Sequence, residues 1–85
     1  MYNGEILITF RALTHAQRGA RLLARYGCPS EPVRPPQELA SGQCAYALRI
    51  REEFLPSAAA RLAAEGLLEG KIWRRRGERY EVVSI

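Results

Sequence analysis

Four of the five prolines fall between positions 28 and 36, at Pro29, Pro32, Pro35 and Pro36. They set the first limit on what this chain can fold into. Proline gives no amide hydrogen to a ladder, so a strand through Glu31–Arg34 must be short and must lie at a sheet edge. Upstream, Glu5-Ile6-Leu7-Ile8-Thr9-Phe10 is a short apolar run with the length and flanks of a buried strand. Thr14, with Gln17 three residues later, has the spacing of a capping box and predicts a helix opening at Thr14. Ala16, Ala20 and Leu23 share a face of that helix, with Gly19 and Leu22 beside them. Arg18, Arg21 and Arg25 point elsewhere, and Gly27 ends the helix as a left-handed cap.

Beyond the prolines, Cys44 to Ile50 reads as a strand with Ala45, Ala47 and Arg49 on one face and Tyr46, Leu48 and Ile50 on the other. Pro56 suits the first turn of a second helix running to Glu65, with Ala59, Leu62 and Ala63 as its apolar stripe and Gly66 closing it. Helix, glycine and apolar residue thus recur in both halves, which hints at an internal βαβ-like duplication. Lys71 to Ile85 reads as a hairpin turning near Gly77. The order predicts an α+β fold: a ferredoxin-like βαββαβ sandwich, its antiparallel sheet carrying two helices on one face and an extra C-terminal strand. There the first and third strands are central and the second is an edge, in agreement with the prolines.

Eighty-five residues make a single domain, 1–85, and an apolar fraction of 47% with 26% charged residues is that of a globular chain. No run approaches the ~18 apolar residues of a membrane span and no leader-like segment opens the chain, so a soluble, cytoplasmic protein with no membrane association is expected. The net charge of +4 comes from twelve arginines and one lysine against nine glutamates. Such a charge raises anionic partners as an option without establishing one. Two cysteines suggest free thiols. One histidine and two distant cysteines build no metal site, glycine-rich phosphate loops are absent, and no cofactor is expected. Glu52-Glu53 suits the positive end of the second helix.

The strand ending at Phe10, the helix opened by Thr14-His15-Ala16, the Pro36-x-Glu38-Leu39 turn and Cys44 before an apolar strand ending at Arg49 together resemble the small selenium/sulfur carrier-like family. The resemblance runs from about residue 5 to residue 68. Pro36, Glu38, Leu39, Ser41, Cys44, Ala47 and Arg49 match the family pattern. Gln37 replaces its basic residue, one extra residue separates Pro36 from Cys44, and Ala45 replaces the glycine after the cysteine. The resemblance implies a carrier or adaptor rather than a complete enzyme. Cys44 would hold sulfur or selenium as a persulfide or selenosulfide, passed from a donor such as a cysteine desulfurase to an acceptor protein.

Such a carrier needs an exposed thiolate of lowered pKa. In the expected topology Cys44 lies at the sheet end where the first helix begins, near Thr14, His15 and the positive end of the dipole. Ser41, Gly42 and Gln43 would form the loop around it. The competing reading is that Cys44 packs as a small inert apolar residue, as free cysteines commonly do. Cys28, just after a helix cap, reads as a core residue. The chief rival function is a non-catalytic protein- or nucleic-acid-binding module using the basic C-terminal hairpin. Trp73, Arg74, Arg75, Arg76 and Arg79 would supply phosphate contacts and stacking. The plainer reading of that hairpin is a solvated edge whose arginines discourage aggregation. A third option, a small-ligand regulatory domain working as a homodimer, has nothing specific in the sequence behind it.

Overall fold

The computed structural model describes residues 4–39 and 46–83. In chain order the elements are β1 (Glu5–Phe10), α1 (Leu13–Arg25), β2 (Glu31–Val33), β3 (Tyr46–Arg51), a 3-10 turn at Glu52–Phe54, α2 (Leu55–Ala64), β4 (Ile72–Arg76) and β5 (Arg79–Val82). The strands form one five-stranded sheet in the order β2-β3-β1-β4-β5. Every neighbouring pair is antiparallel. This mixed arrangement of two helices and an antiparallel sheet is compatible with a ferredoxin-like α+β fold. As the prolines require, β2 is a three-residue edge strand, with Pro32 in register opposite Leu48.

The two-residue period of the strands divides the apolar residues between the two faces of the sheet. Ile6, Ile8, Phe10, Leu48, Ile50 and Ile72 pack with Ala16 and Leu23 of α1 and with Leu55, Ala58, Ala59 and Leu62 of α2. On the other face Leu7 and Ala47 meet Leu39, with Val33, Trp73 and Tyr80 against them. Leu39 gets there through a turn closed by its amide on the Pro36 carbonyl at 2.9 Å. Burying a leucine contributes about 2 kcal/mol, so this side chain pins the proline segment over the otherwise open face. At Gly19, α1 packs closely on β1, β3 and α2. A Cβ there would lie 3.1 Å from both Leu48 Cδ1 and Phe10 Cζ, and 3.3 Å from Leu62 Cδ2.

Both helices end in the same hydrogen-bonded motif. The Cys28 amide donates to the Leu23 carbonyl at 3.0 Å and the Gly27 amide to Ala24 at 3.2 Å, with Gly27 at φ 74°. Leu67 donates to Leu62 at 2.8 Å and Gly66 to Ala63 at 3.1 Å, with Gly66 at φ 69°. In each case the residue after the glycine is buried against the last turn, the apolar contact that accompanies this cap.

Two helix details differ from the sequence expectation. α1 starts at Leu13, one residue before Thr14, with Ala12 as its N-cap and no side-chain cap. Thr14 therefore sits inside the first turn, where it cannot close a capping box with Gln17. In α2 the buried stripe is Leu55, Ala58, Ala59 and Leu62, while Ala63 is exposed. Leu55 opens this helix and sets the phase of the stripe at i, i+3, i+4 and i+7. The terminal hairpin turns as expected, with Gly77 at φ 63° between the paired Arg76 and Arg79.

Candidate functional site

At the end of the sheet where β1 gives way to α1, three groups from distant parts of the chain converge. Thr9 is fully buried. Its hydroxyl donates to the Lys71 carbonyl at 2.6 Å, and its amide donates to the same oxygen at 3.1 Å. This double contact clamps the connection between α2 and β4 against the end of β1. Gly70 fits into the clamp because it has no side chain: a Cβ would lie 2.5 Å from Thr9 Oγ1 and 2.6 Å from the Thr9 carbonyl oxygen. Glu69, the residue before it, is thereby held over the first turn of α1.

There Glu69 Oε1 accepts the Arg11 amide at 2.8 Å. His15 Nδ1 lies 3.0 Å from Oε1 and 3.1 Å from Oε2. Burial pushes the Glu69 carboxyl up, but the Arg11 amide, the His15 hydrogen bond and the charges of His15 and Arg11 outweigh it. The carboxyl is held below its ordinary value. α1 has no acidic residue in its own first turn. Glu69 supplies from across the chain the anion that a helix N-terminus favours. When the ring is neutral, a carboxylate on Nδ1 favours the tautomer with the proton there, which leaves Nε2 as an acceptor. The His15 side chain is 41% exposed and that of Glu69 18% exposed, so the dyad is supported from below and open above.

Of the residues singled out in the sequence, the structure places Thr14 and His15 on this first turn; Thr14 is exposed and only His15 has a polar partner. Ser41, Gly42, Gln43 and Cys44 lie outside the described residues. Tyr46, two positions after Cys44, pairs with Phe10, the last residue of β1. The Arg34 guanidinium lies 5.5 Å from the Tyr46 ring centroid. Cys28 is free and 2% exposed, its Sγ facing the Pro29 carbonyl at 3.9 Å, and burial pushes its thiol pKa up. It is a core residue.

In the terminal hairpin the arginines are largely matched by glutamates. Arg74 Nε lies 2.8 Å from Glu52, Arg75 3.5 Å from Glu5 and Arg76 3.0 Å from Glu81. Trp73 and Tyr80 are partly buried against Leu7, Leu39 and Ala47. Trp73, the aromatic expected to stack on bases, thus gives part of its surface to packing. Sequence reasoning missed Thr9, Glu69 and Gly70. Their only local signal is a Glu-Gly-Lys run before the last hairpin, and it gains meaning once the topology brings it to the end of β1.

A further cleft of about 350 Å³ lies at the opposite end of the sheet, lined by Gly4, Glu5, Pro29, Ser30, Arg49, Ile50 and Arg51. Arg49 is paired there with Glu31, and Arg51 with Glu53 at 3.6 Å. Among the described residues no group of three His, Cys, Asp or Glu side chains could hold a metal ion, and no helix is long and apolar enough to cross a membrane.

Fold and site together define an α+β domain with a carboxylate–histidine dyad at one end of its sheet. No family model, curated protein or solved structure matches the chain.

Proposed function

We propose that this is a cytoplasmic sulfur or selenium carrier of ferredoxin-like βαββαβ topology, with Cys44 as the carrying thiol. The observation that supports the reading is the Phe10–Tyr46 pairing beside the Glu69–His15 dyad. Cys44 precedes Tyr46 by two residues, at most about 7 Å of chain, and the reading takes its thiol to work at this end of the sheet. His15 Nε2 is the base available to take the thiol proton, with Glu69 orienting the ring. In the transfer step the Cys44 thiolate attacks the terminal sulfur of a donor persulfide. The donor S–S bond breaks, the donor leaves as a thiolate, and a persulfide forms on Cys44. A second attack by an acceptor thiolate returns Cys44 to its starting state, and neither step consumes an oxidant.

The donor is a cysteine desulfurase or another persulfide protein, and the acceptor is a second protein. Incubation with a desulfurase and cysteine, followed by mass spectrometry of the Cys44 peptide, tests the reading. An added sulfur atom on that peptide, lost in Cys44→Ser and formed more slowly in His15→Ala, is the expected result. An unmodified Cys44 beside a fully loaded donor refutes it.

A further inference from the structure

Among the described residues, a row of arginines without ion pairs lies along the outer side of α1. α1 contains no acidic residue, and Arg18, Arg21 and Arg25 are all exposed on its outer side. Among the described residues none of the three forms an ion pair, whereas Arg49, Arg51, Arg74, Arg75 and Arg76 all do. The three arginines line an open cleft of about 250 Å³, with Leu22 and Leu67 as its apolar lining and Glu65 as its one carboxylate. Beside Arg25, the last residue of the helix, Tyr26 is 50% exposed, and the Arg61 guanidinium of α2 lies over its ring at 3.8 Å.

From this arrangement we infer that the outer face of α1 binds the backbone of single-stranded nucleic acid, with Tyr26 as a stacking platform. Arg18 to Arg25 spans seven residues, about 10 Å along a helix axis. A stacked strand carries a phosphate every ~3.4 Å, so this row covers about three of them. Guanidinium groups pair with phosphate oxygens in two-pronged fashion, and here three of them face a single carboxylate, Glu65, with which none forms an ion pair. The cleft is small and open, which suits a chain passing across it better than an enclosed small molecule. The apolar side of α1 is committed to the core through Ala16, Gly19 and Leu23, which leaves only the charged side to act. An aromatic ring beside the basic row favours a ligand with bases over an acidic peptide.

The test is fluorescence anisotropy of a labelled single-stranded dodecamer with the full chain across a salt series. With three phosphate contacts the slope of log K against log salt is about −2, a loss of roughly twenty-fold between 50 and 200 mM salt. Arg21→Gln should flatten the slope by about 0.7, and the triple Arg18→Gln/Arg21→Gln/Arg25→Gln variant should weaken low-salt binding at least tenfold. Tyr26→Ala should weaken it about fivefold or more, and Glu65→Gln should tighten it. Arg76→Gln/Arg79→Gln, on the hairpin, should stay within twofold of the parent. All these side chains are exposed, and an unchanged thermal transition confirms that each variant is folded. No binding at 50 mM salt, equal binding by the triple variant, or equal competition by polyglutamate would overturn the inference. Cys44→Ser should bind as the parent does, so this result stands apart from the transfer assay.

Discussion

Gly70→Ala is the most demanding test of how the sheet end is built. Gly70 does not lie in the left-handed region, so an alanine there meets no intrinsic backbone objection. The obstacle is space. The new Cβ would lie 2.5 Å from Thr9 Oγ1 and 2.6 Å from the Thr9 carbonyl oxygen, in a residue with no solvent exposure and nowhere to retreat. Overpacking of this kind costs about 1–3 kcal/mol. If the connection moves to relieve it, the Thr9 hydroxyl loses the Lys71 carbonyl, about 1 kcal/mol more. A total of about 2–4 kcal/mol corresponds to a fall of roughly 10–25 °C in Tm for a domain of this size. Gly66→Ala is the comparison: its φ is 69° but a Cβ there meets nothing within 4 Å, so its cost is the ~1 kcal/mol of left-handed strain. Urea and thermal unfolding followed by circular dichroism read both variants. A Gly70→Ala protein within about 0.5 kcal/mol of the parent, or more stable than Gly66→Ala, refutes the clamp.

The pH dependence of stability should carry the mark of Glu69. Its folded carboxyl titrates below its unfolded value, so its contribution is present above the ordinary carboxylate pKa of about 4.3 and is lost as pH falls through the folded value. Glu69→Gln should therefore lower the urea midpoint at pH 7, with the gap to the parent narrowing at pH 3; a gap independent of pH would remove Glu69 from this role. Cys28 should resist iodoacetamide in the native protein and react on unfolding, as its burial and raised pKa require, and rapid native labelling would contradict that placement. Gly19→Ala gains up to ~1 kcal/mol of helix propensity but presses on three fully buried side chains. It should be net destabilising by up to about 2 kcal/mol in denaturant unfolding.

Features encoded within a few residues could be read directly from the sequence. The prolines placed β2 at an edge because a missing amide hydrogen is a local fact. Gly27, Gly66 and Gly77 marked ends and a turn because a positive φ is also local. The start of α1 could not be read this way. Thr14 and Gln17 have the spacing of a local cap, but the free amide before the helix is satisfied by Glu69, 58 residues from Arg11. The stripe of α2 was misphased for a related reason: in an alanine-rich segment only the position of Leu55 distinguishes one face from the next. Glu69 itself was invisible because a carboxylate in a loop has no period or motif, and it becomes a site only when the sheet order returns it to the end of β1.

Charge shows the same limit most clearly. A count of arginines draws attention to Arg74-Arg75-Arg76, the densest run in the chain. Yet a strand sets these residues beside neighbours on both sides, and Glu5, Glu52 and Glu81 come within reach of them. An outer helix face has no such cross-strand neighbours. Its charges can be offset only by residues three or four positions away or by an adjacent helix, and α1 offers no acid while α2 brings only Glu65 to the cleft. Arginines spread thinly along a helix can therefore produce a stronger surface potential than a contiguous triplet in a sheet. The helix that carries these arginines is anchored at its opening turn by Glu69, so one element links the dyad at the sheet end to the basic face. The two can be separated by mutation because Glu69 acts on the first turn, while Arg18, Arg21 and Arg25 lie beyond it.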